Sequence, residues 1–245
     1  MTSSFCRTVA GLIFLVPVSV GAGVKGPKLP QLLEDVEAKY TAAKTLRADF
    51  SQKNDSAIMQ RTTVSSGILL AKRPGKVRWE TTQPDRNVLV SDGRRFWFYR
   101  PPMFDDERGQ VIVSKSSTTV PPLANALLSG SFSMAREMKI DQKSPSRFAL
   151  IPTRKGSAGT VVRAEIEIKL PEKIIEKVVL EHAGGNRSEI KLSGILLGEE
   201  IEDTTFIFVA PPNTDEEDIG KETTTLRSPS KSPLPSREHQ AKRKP

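Results

Sequence analysis

Catalysis needs a nucleophile, a base or a bound metal, and this chain is poor in all three. Its 245 residues include two histidines, His182 and His239, and one cysteine, Cys6. A serine nucleophile would have one candidate base in the body of the chain, because His239 falls in a polar end segment. No G-x-S-x-G is present, and Ser129-Gly130-Ser131 lacks that spacing. His182 stands at a predicted strand end near Gly184-Gly185 and reads as a turn residue. The acidic runs Asp105-Asp106-Glu107 and Asp215 to Asp218 lack a partner histidine and the alternating ligand spacing of a calcium loop, so they read as solvated charge. No phosphate-cradling glycine loop precedes a helix. A carboxylate pair assembled only in space would leave no mark in the sequence. No metal or cofactor is expected. What the residues offer instead is apolar surface, whose chemistry is binding.

That surface is densest in residues 73–101, RPGKVRWETTQPDRNVLVSDGRRFWFYRP. Val88, Leu89 and Val90 run consecutively, Asp92-Gly93 turns the chain, and Phe96, Trp97, Phe98 and Tyr99 run consecutively after it. Asp-Gly between two apolar runs is a strong hairpin signal, because both central positions tolerate φ > 0. A hairpin with one wet face alternates apolar and polar residues, and this one does not. Something apolar must therefore cover each face: one cover can be the protein's own helices, the other either protein or a greasy ligand.

The elements that must position these strands lie between two ends of different character. Residues 1–22 carry Arg7, an apolar run from Val9 to Val20, and small residues before position 23, the layout of a secretory signal peptide cleaved near Ala22. The run is about 12 residues long, short of the roughly 20 that span a bilayer, which argues against an uncleaved anchor. Cys6 precedes the run, so the exported chain has no thiol and no lipidation cysteine. Residues 220–245 are rich in Ser, Thr, Pro, Lys and Arg, too polar to offset the entropy of ordering, and read as a disordered basic tail. The tail holds seven Lys or Arg and two Glu, so most of the formal charge of +8 sits there and the body is nearly neutral. No basic-aromatic motif accompanies the charge, and nucleic acid is not an expected partner.

Between the ends, residues 29–44 form an amphipathic helix, with Leu32, Leu33, Val36, Tyr40 and Ala43 on one side and Pro30 in the first turn. Strands are predicted at 46–52, 62–71 with a bulge or close approach at Gly67, 76–82, 87–91, 94–99 and 110–114. Pro121-Pro122 ends that regime and a short helix containing Leu123, Ala126 and Leu127 follows, stopped by Gly130. Strands resume at 138–142, 147–152, 161–170, 174–182, 189–197 and 205–209. Arg163, Glu165, Glu167 and Lys169 alternate with Val162, Ala164, Ile166 and Ile168, giving a strand wet on one face. About eleven short strands at this spacing make a large antiparallel sheet that must curl or close. Its interior is wider than side chains alone fill, and the two helices are available to plug it.

Arg73-Pro74, Trp79, Gln83-Pro84-Asp85, Leu89-Val90-Ser91-Asp92-Gly93 and Trp97-Phe98-Tyr99 with Pro101 closely resemble the periplasmic outer-membrane lipoprotein carrier family, LolA. Phe50-x-Gln52 and Phe206-x-Phe208 before Pro211-Pro212 resemble it too, and the likeness covers roughly residues 29–219. The resemblance implies a mainly β fold (α+β), an incomplete, curled antiparallel barrel with helices as a lid over an apolar cavity, and no enzymatic activity. It implies a periplasmic chaperone that takes acylated lipoproteins from an inner-membrane ABC transporter, shields their acyl chains and passes them to an outer-membrane receptor lipoprotein. On that reading 23–219 is the carrier domain of a monomer. Arg73 matches the family arginine that hydrogen-bonds to the lid, with Leu123 and Leu127 on the lid itself. Phe50, Leu69, Val77, Trp79, Leu89, Trp97 and Phe98 are expected along the cavity. Trp97 and Tyr99 point opposite to Phe96 and Phe98, and the sequence leaves open which pair looks inward. The other reading is a periplasmic lipid-sensing or regulatory domain on the same scaffold, and a weaker one is an enzyme with an unseen carboxylate pair. The tail extends beyond what the resemblance explains and could touch anionic lipid by charge alone.

Overall fold

The computed structural model describes residues 29–104, 106–115, 125–127 and 129–219. The expected signal peptide (1–22), the basic tail (220–245), Leu123 and Asp105 lie outside the described residues. The chain enters through helix α1 (Gln31–Ala43), whose first turn is satisfied by the Pro30 carbonyl, accepting from Leu33 and Glu34 at 2.9 and 3.2 Å. Lys44 ends the helix in the left-handed region (φ 62°) and sends its amide back to the Tyr40 carbonyl. Strands follow: β1 (Thr45–Ser56), β2 (Arg61–Lys72), β3 (Lys76–Gln83), β4 (Asn87–Asp92), β5 (Phe96–Arg100), β6 (Gly109–Ser114), β7 (Met138–Ser144), β8 (Arg147–Pro152), β9 (Val161–Lys169), β10 (Ile174–His182), β11 (Arg187–Leu197) and β12 (Thr214–Asp218).

They form one sheet in the order β12-β6-β5-β4-β3-β2-β1-β11-β10-β9-β8-β7. Two meanders, β1 to β6 and β7 to β11, join where β1 pairs with β11, and the outer strands β12 and β7 do not meet. The sheet is therefore curled but open. Its curl is visible in the packing: Leu33, Val36 and Tyr40 of α1 lie in one apolar cluster with Trp79 of one wing and Phe148 and Ile166 of the other. Bulges help the bend, since register shifts at Arg47/Asp49 in β1, Ser66/Gly67 in β2 and Ile175/Lys177 in β10. Gly67 is a point of close approach, where an added Cβ would lie 1.9 Å from the Glu80 carbonyl oxygen.

Two expectations need correction. Residues 205–209 are not a strand: Asp203–Phe206 is a 3₁₀ turn, and the residues after it cross the convex face without pairing. The apolar alternation there comes from Phe206 turning inward, buried, while Ile207 and Val209 face solvent. The strand lies further on, at β12, inside the acidic run read as solvated charge. It pairs with β6 in parallel, from Thr214↔Gly109 to Asp218↔Val113, whereas the other pairs are antiparallel. In β9, Val161 rather than Val162 faces inward, because register slips between Glu181 and His182.

The segment 199–213 also explains why the β4–β5 hairpin is apolar on both sides. Val90, Val111, Val113, Ile201 and Phe206 are buried outside the concave cluster. Tyr99 meets Phe208 with ring centroids 5.6 Å apart. The convex face of β4 to β6 is thus strapped down by the chain itself, and the concave face is left for something else.

Candidate functional site

Strand register sorts the apolar side chains. Leu69 pairs with Trp79, Trp79 with Leu89, Leu89 with Phe98 and Phe98 with Ile112, so one row crosses five strands on one face. Phe50 sits opposite Gly67, and its ring lies 4.7 Å from that of Trp79, tilted by 48°. Gly67 itself lies against the backbone of β3 at Glu80 and Thr81, where no side chain fits. A second row runs Ala71, Val77, Ser91 and Phe96. Phe50, Leu69, Val77, Trp79 and Leu89 are all in the concave cluster, with Phe96 and Phe98 packed against it. Trp97 is not. It pairs with Val90 and Val113 and so faces the convex side, which corrects its expected place in the cavity. The pair that looks inward is Phe96 and Phe98.

The wall is partly covered. Leu33, Val36 and Tyr40 of α1 press on it together with Leu127, Phe132 and Ala135 from the segment after β6, all buried. A few polar contacts hold this cover. Arg73, in the β2–β3 turn, donates from Nη2 to the Ser129 carbonyl at 2.7 Å, and its own amide donates to the Lys44 carbonyl at 2.8 Å. One residue thus ties the sheet to both parts of the cover. A guanidinium suits the task, because it stays charged and presents several donors in a fixed fork.

On the opposite wing, the Tyr40 hydroxyl accepts from the Ile175 amide at 3.0 Å and Lys173 pairs with Asp35 at 2.8 Å. Glu37 joins the two halves of the cover, accepting from the Phe132 amide at 3.0 Å and pairing with Arg136. Burial pushes the Tyr40 phenol up to about 12, so it stays protonated. Gly130, at φ +71°, lets the chain lie flat on that ring, since a Cβ there would come within 2.4 Å of it. Tyr40 was readable only as an apolar-face residue, and Phe132, beyond the predicted short helix, was not singled out. Their polar partners are contacts between distant segments, which no local spacing encodes.

The cover leaves both ends open. At the end away from Arg73 is a cavity of about 500 Å³, with Trp79, Leu89, Phe98, Leu180 and Ile190 against its apolar side and Gln52, Asn54 and Thr63 at its rim. At the Arg73 end another, about 530 Å³, reaches Ala71, Val77 and Phe96 beside Lys72, Lys76 and Lys115. His182 lies on the rim of the first cavity with Nδ1 2.9 Å from the Thr160 hydroxyl, and burial lowers its pKa. Among the described residues no three His, Cys, Asp or Glu side chains are grouped to hold a metal. The arrangement provides an apolar trough partly filled by the protein's own side chains.

Comparison with known proteins places the chain in a family. Residues 41–209 match the family described as outer membrane lipoprotein carrier protein LolA. The outer-membrane lipoprotein carrier protein of Psychromonas ingrahamii is 31% identical over 214 residues, 86% of this chain and 98% of that protein. That of Pseudomonas aeruginosa PAO1 is 26% identical over 207 residues, covering 83% and 95%. A crystal structure of a LolA superfamily protein from Nitrosomonas europaea aligns over 73% of this chain and 96% of the other, at 12% identity and a TM-score of 0.45. With more than half its length matched to that family, and a relative of this identity covered nearly end to end, the chain belongs to the outer membrane lipoprotein carrier proteins.

Proposed function

We propose that the protein is a periplasmic carrier that binds the acyl chains of lipoproteins released from the inner membrane and delivers them to the outer membrane. The observation that carries this is the continuous apolar wall from Phe50 to Phe98 beneath a cover fastened by Arg73 and Tyr40. Each acyl methylene kept from water is worth about 0.8 kcal/mol, so a lipoprotein with long chains cannot cross an aqueous space unshielded. Long chains reach the middle of the wall only by displacing Leu33, Val36, Leu127 and Phe132. Cover and cargo then compete for the same surface, which lowers net affinity and permits release.

On this reading residues 1–22 direct export and are removed, 23–219 form the carrier domain and 220–245 a basic appendage. The protein works as a monomer without catalysis, taking cargo from an ABC transporter and yielding it to a receptor lipoprotein. The test is depletion in the native organism, followed by separation of inner and outer membranes. Lipoproteins retained at the inner membrane, and recovery of acylated lipoprotein bound to the purified carrier, are the expected results. Full sorting without the protein would refute the reading.

A further inference from the structure

The β1–β2 hairpin reaches further than its neighbours at the end away from Arg73. Its pairing runs to Ser56↔Arg61, whereas β3 accompanies β2 no further than Ser66 and β11 accompanies β1 to Asp55. The turn at its tip, Ala57-Ile58-Met59-Gln60, contains none of the glycine, proline, asparagine, aspartate or serine that usually make turns. Hydrogen bonds hold it nonetheless. The Ala57 amide donates to Asn186 Oδ1 at 3.0 Å, the Met59 amide to Ser56 Oγ at 3.3 Å, and Thr62 Oγ1 donates to Asp55 Oδ1 at 2.6 Å. Gly185 of the β10–β11 turn packs against its base, where an added Cβ would lie 3.2 Å from the Ala57 Cβ. On this fixed tip Ile58 is 84% exposed and Met59 77%. Two large apolar side chains thus stand on a protruding turn and add nothing to the core.

The tip is continuous with the trough. The cavity against Trp79, Leu89 and Phe98 adjoins a second of about 420 Å³, and the two share Asn54, Arg61, Thr63, His182 and Ser188 in their walls. Met59 lines the second. A route therefore leads from the aromatic wall, past a polar rim, to the tip.

Charge at this end is mixed. Arg61 and Arg86 are exposed, and among the described residues neither has an ion-pair partner. Asp85 adjoins Arg86, and Asp106 and Glu107 are exposed in the loop between β5 and β6. Lys53 and Arg187 are taken up by Asp55 and Glu189. The end presents no field of one sign, and its distinguishing feature is apolar.

A protein partner would need about 800 Å² of complementary surface on each side, which two side chains on a convex turn do not supply. A bilayer needs no complementary shape. We propose that the β1–β2 tip inserts Ile58 and Met59 among the acyl chains of a phospholipid bilayer, and that chains pass between bilayer and trough at this end. Arg61, which shares the second cavity's wall with Met59, is placed to meet lipid phosphate while the tip is inserted. Passage of chains rests on the carrier reading, whereas insertion rests on the tip alone. Two short side chains anchor less firmly than one myristoyl chain, which itself binds reversibly, so the contact is brief and suits a protein that must leave the membrane again.

The test uses the chain from residue 23, which has no cysteine, so an environment-sensitive dye can be placed at Q60C beside the tip or at R94C at the opposite end. Each is mixed, without cargo, with pure phosphatidylcholine vesicles in high salt, which suppresses attraction by charge. The dye at 60 should shift to the blue and the one at 94 should not. I58S/M59S should require at least about tenfold more vesicle for the same response at 60, with the circular dichroism of the parent. The same variant should bind a fluorescent single-chain fatty acid as the parent does, but deliver it to acceptor vesicles about tenfold more slowly. No response at 60, an equal response at 94, or I58S/M59S without effect on the response overturns insertion. Normal delivery by I58S/M59S overturns passage at this end. Failure of the parent to bind the fatty acid counts against the carrier reading and leaves the dye result standing. Binding to native membrane vesicles that is lost after protease treatment, with none to pure lipid, overturns the proposal and assigns the tip to a protein.

Discussion

Replacing Arg73 by methionine removes the guanidinium bond to the Ser129 carbonyl while keeping the length and greasiness of the stem. A hydrogen bond from a charged donor contributes about 1.5–3 kcal/mol when buried. Arg73 is only partly buried and water can take its place on the carbonyl, so about 1–2 kcal/mol is the fitting range. One to two kcal/mol changes a two-state ratio by about 5- to 30-fold. If the covered state competes with ligand, apparent affinity rises by the same factor, because the binding-competent fraction rises. A fluorescent single-chain fatty acid titrated into R73M should therefore bind about 5- to 30-fold more tightly than to the parent. Its transfer to acceptor vesicles should slow in proportion. R73K, with a point charge on a flexible stem, should fall between them. Unchanged affinity in R73M would refute the competition, and weaker affinity would mean that Arg73 holds the ligand rather than the cover.

Other expectations follow from the same contacts. Tyr40→Phe leaves the Ile175 amide unsatisfied in the core and should cost about 1–3 kcal/mol in urea unfolding, while raising binding of the same fatty acid. Phe206→Ala empties a fully buried site under the convex strap and should cost about 3–5 kcal/mol without altering fatty-acid affinity. Asp203 is held below its ordinary value of 3.8 by hydrogen bonds from Lys72 and then Lys76. Its folded pKa lies below its unfolded one, so its contribution to stability is present above 3.8 and lost as pH falls below that value. Acid melting curves of D203N should accordingly lose part of the downward slope seen in the parent below pH 3.8.

Most strands and α1 were legible because each carries its own period and its own turn residues. Register was less so. The sequence places Phe96 and Phe98 opposite Trp97 and Tyr99, but the direction comes from Leu89, whose partner is Phe98, and from which face the distant strap covers. The strap was the hardest part to read. Phe206 and Phe208 have the alternation of a strand, yet they pack on strands already paired on both edges and cannot join the sheet. β12 was hidden for the opposite reason: Asp215 to Asp218 lack apolar content, and only backbone pairing with β6 makes them a strand. Arg73 was legible through the family resemblance, whereas its partner, a backbone carbonyl on Ser129, has no sequence signature.

An open barrel keeps two strand edges, and the one at β6 is the more dangerous. β6 is rich in valine, next to the aromatic β5, and on its own it would offer a sticky template for a strand of another molecule. The acidic β12 caps that edge and replaces it with a row of carboxylates. Two copies meeting edge to edge there would set like charges face to face. Because it runs parallel to β6, it also gives a different hydrogen-bond spacing from the antiparallel pairs beside it. The last described strand thus acts as a guard against self-association, in a protein whose work requires it to expose apolar surface without aggregating.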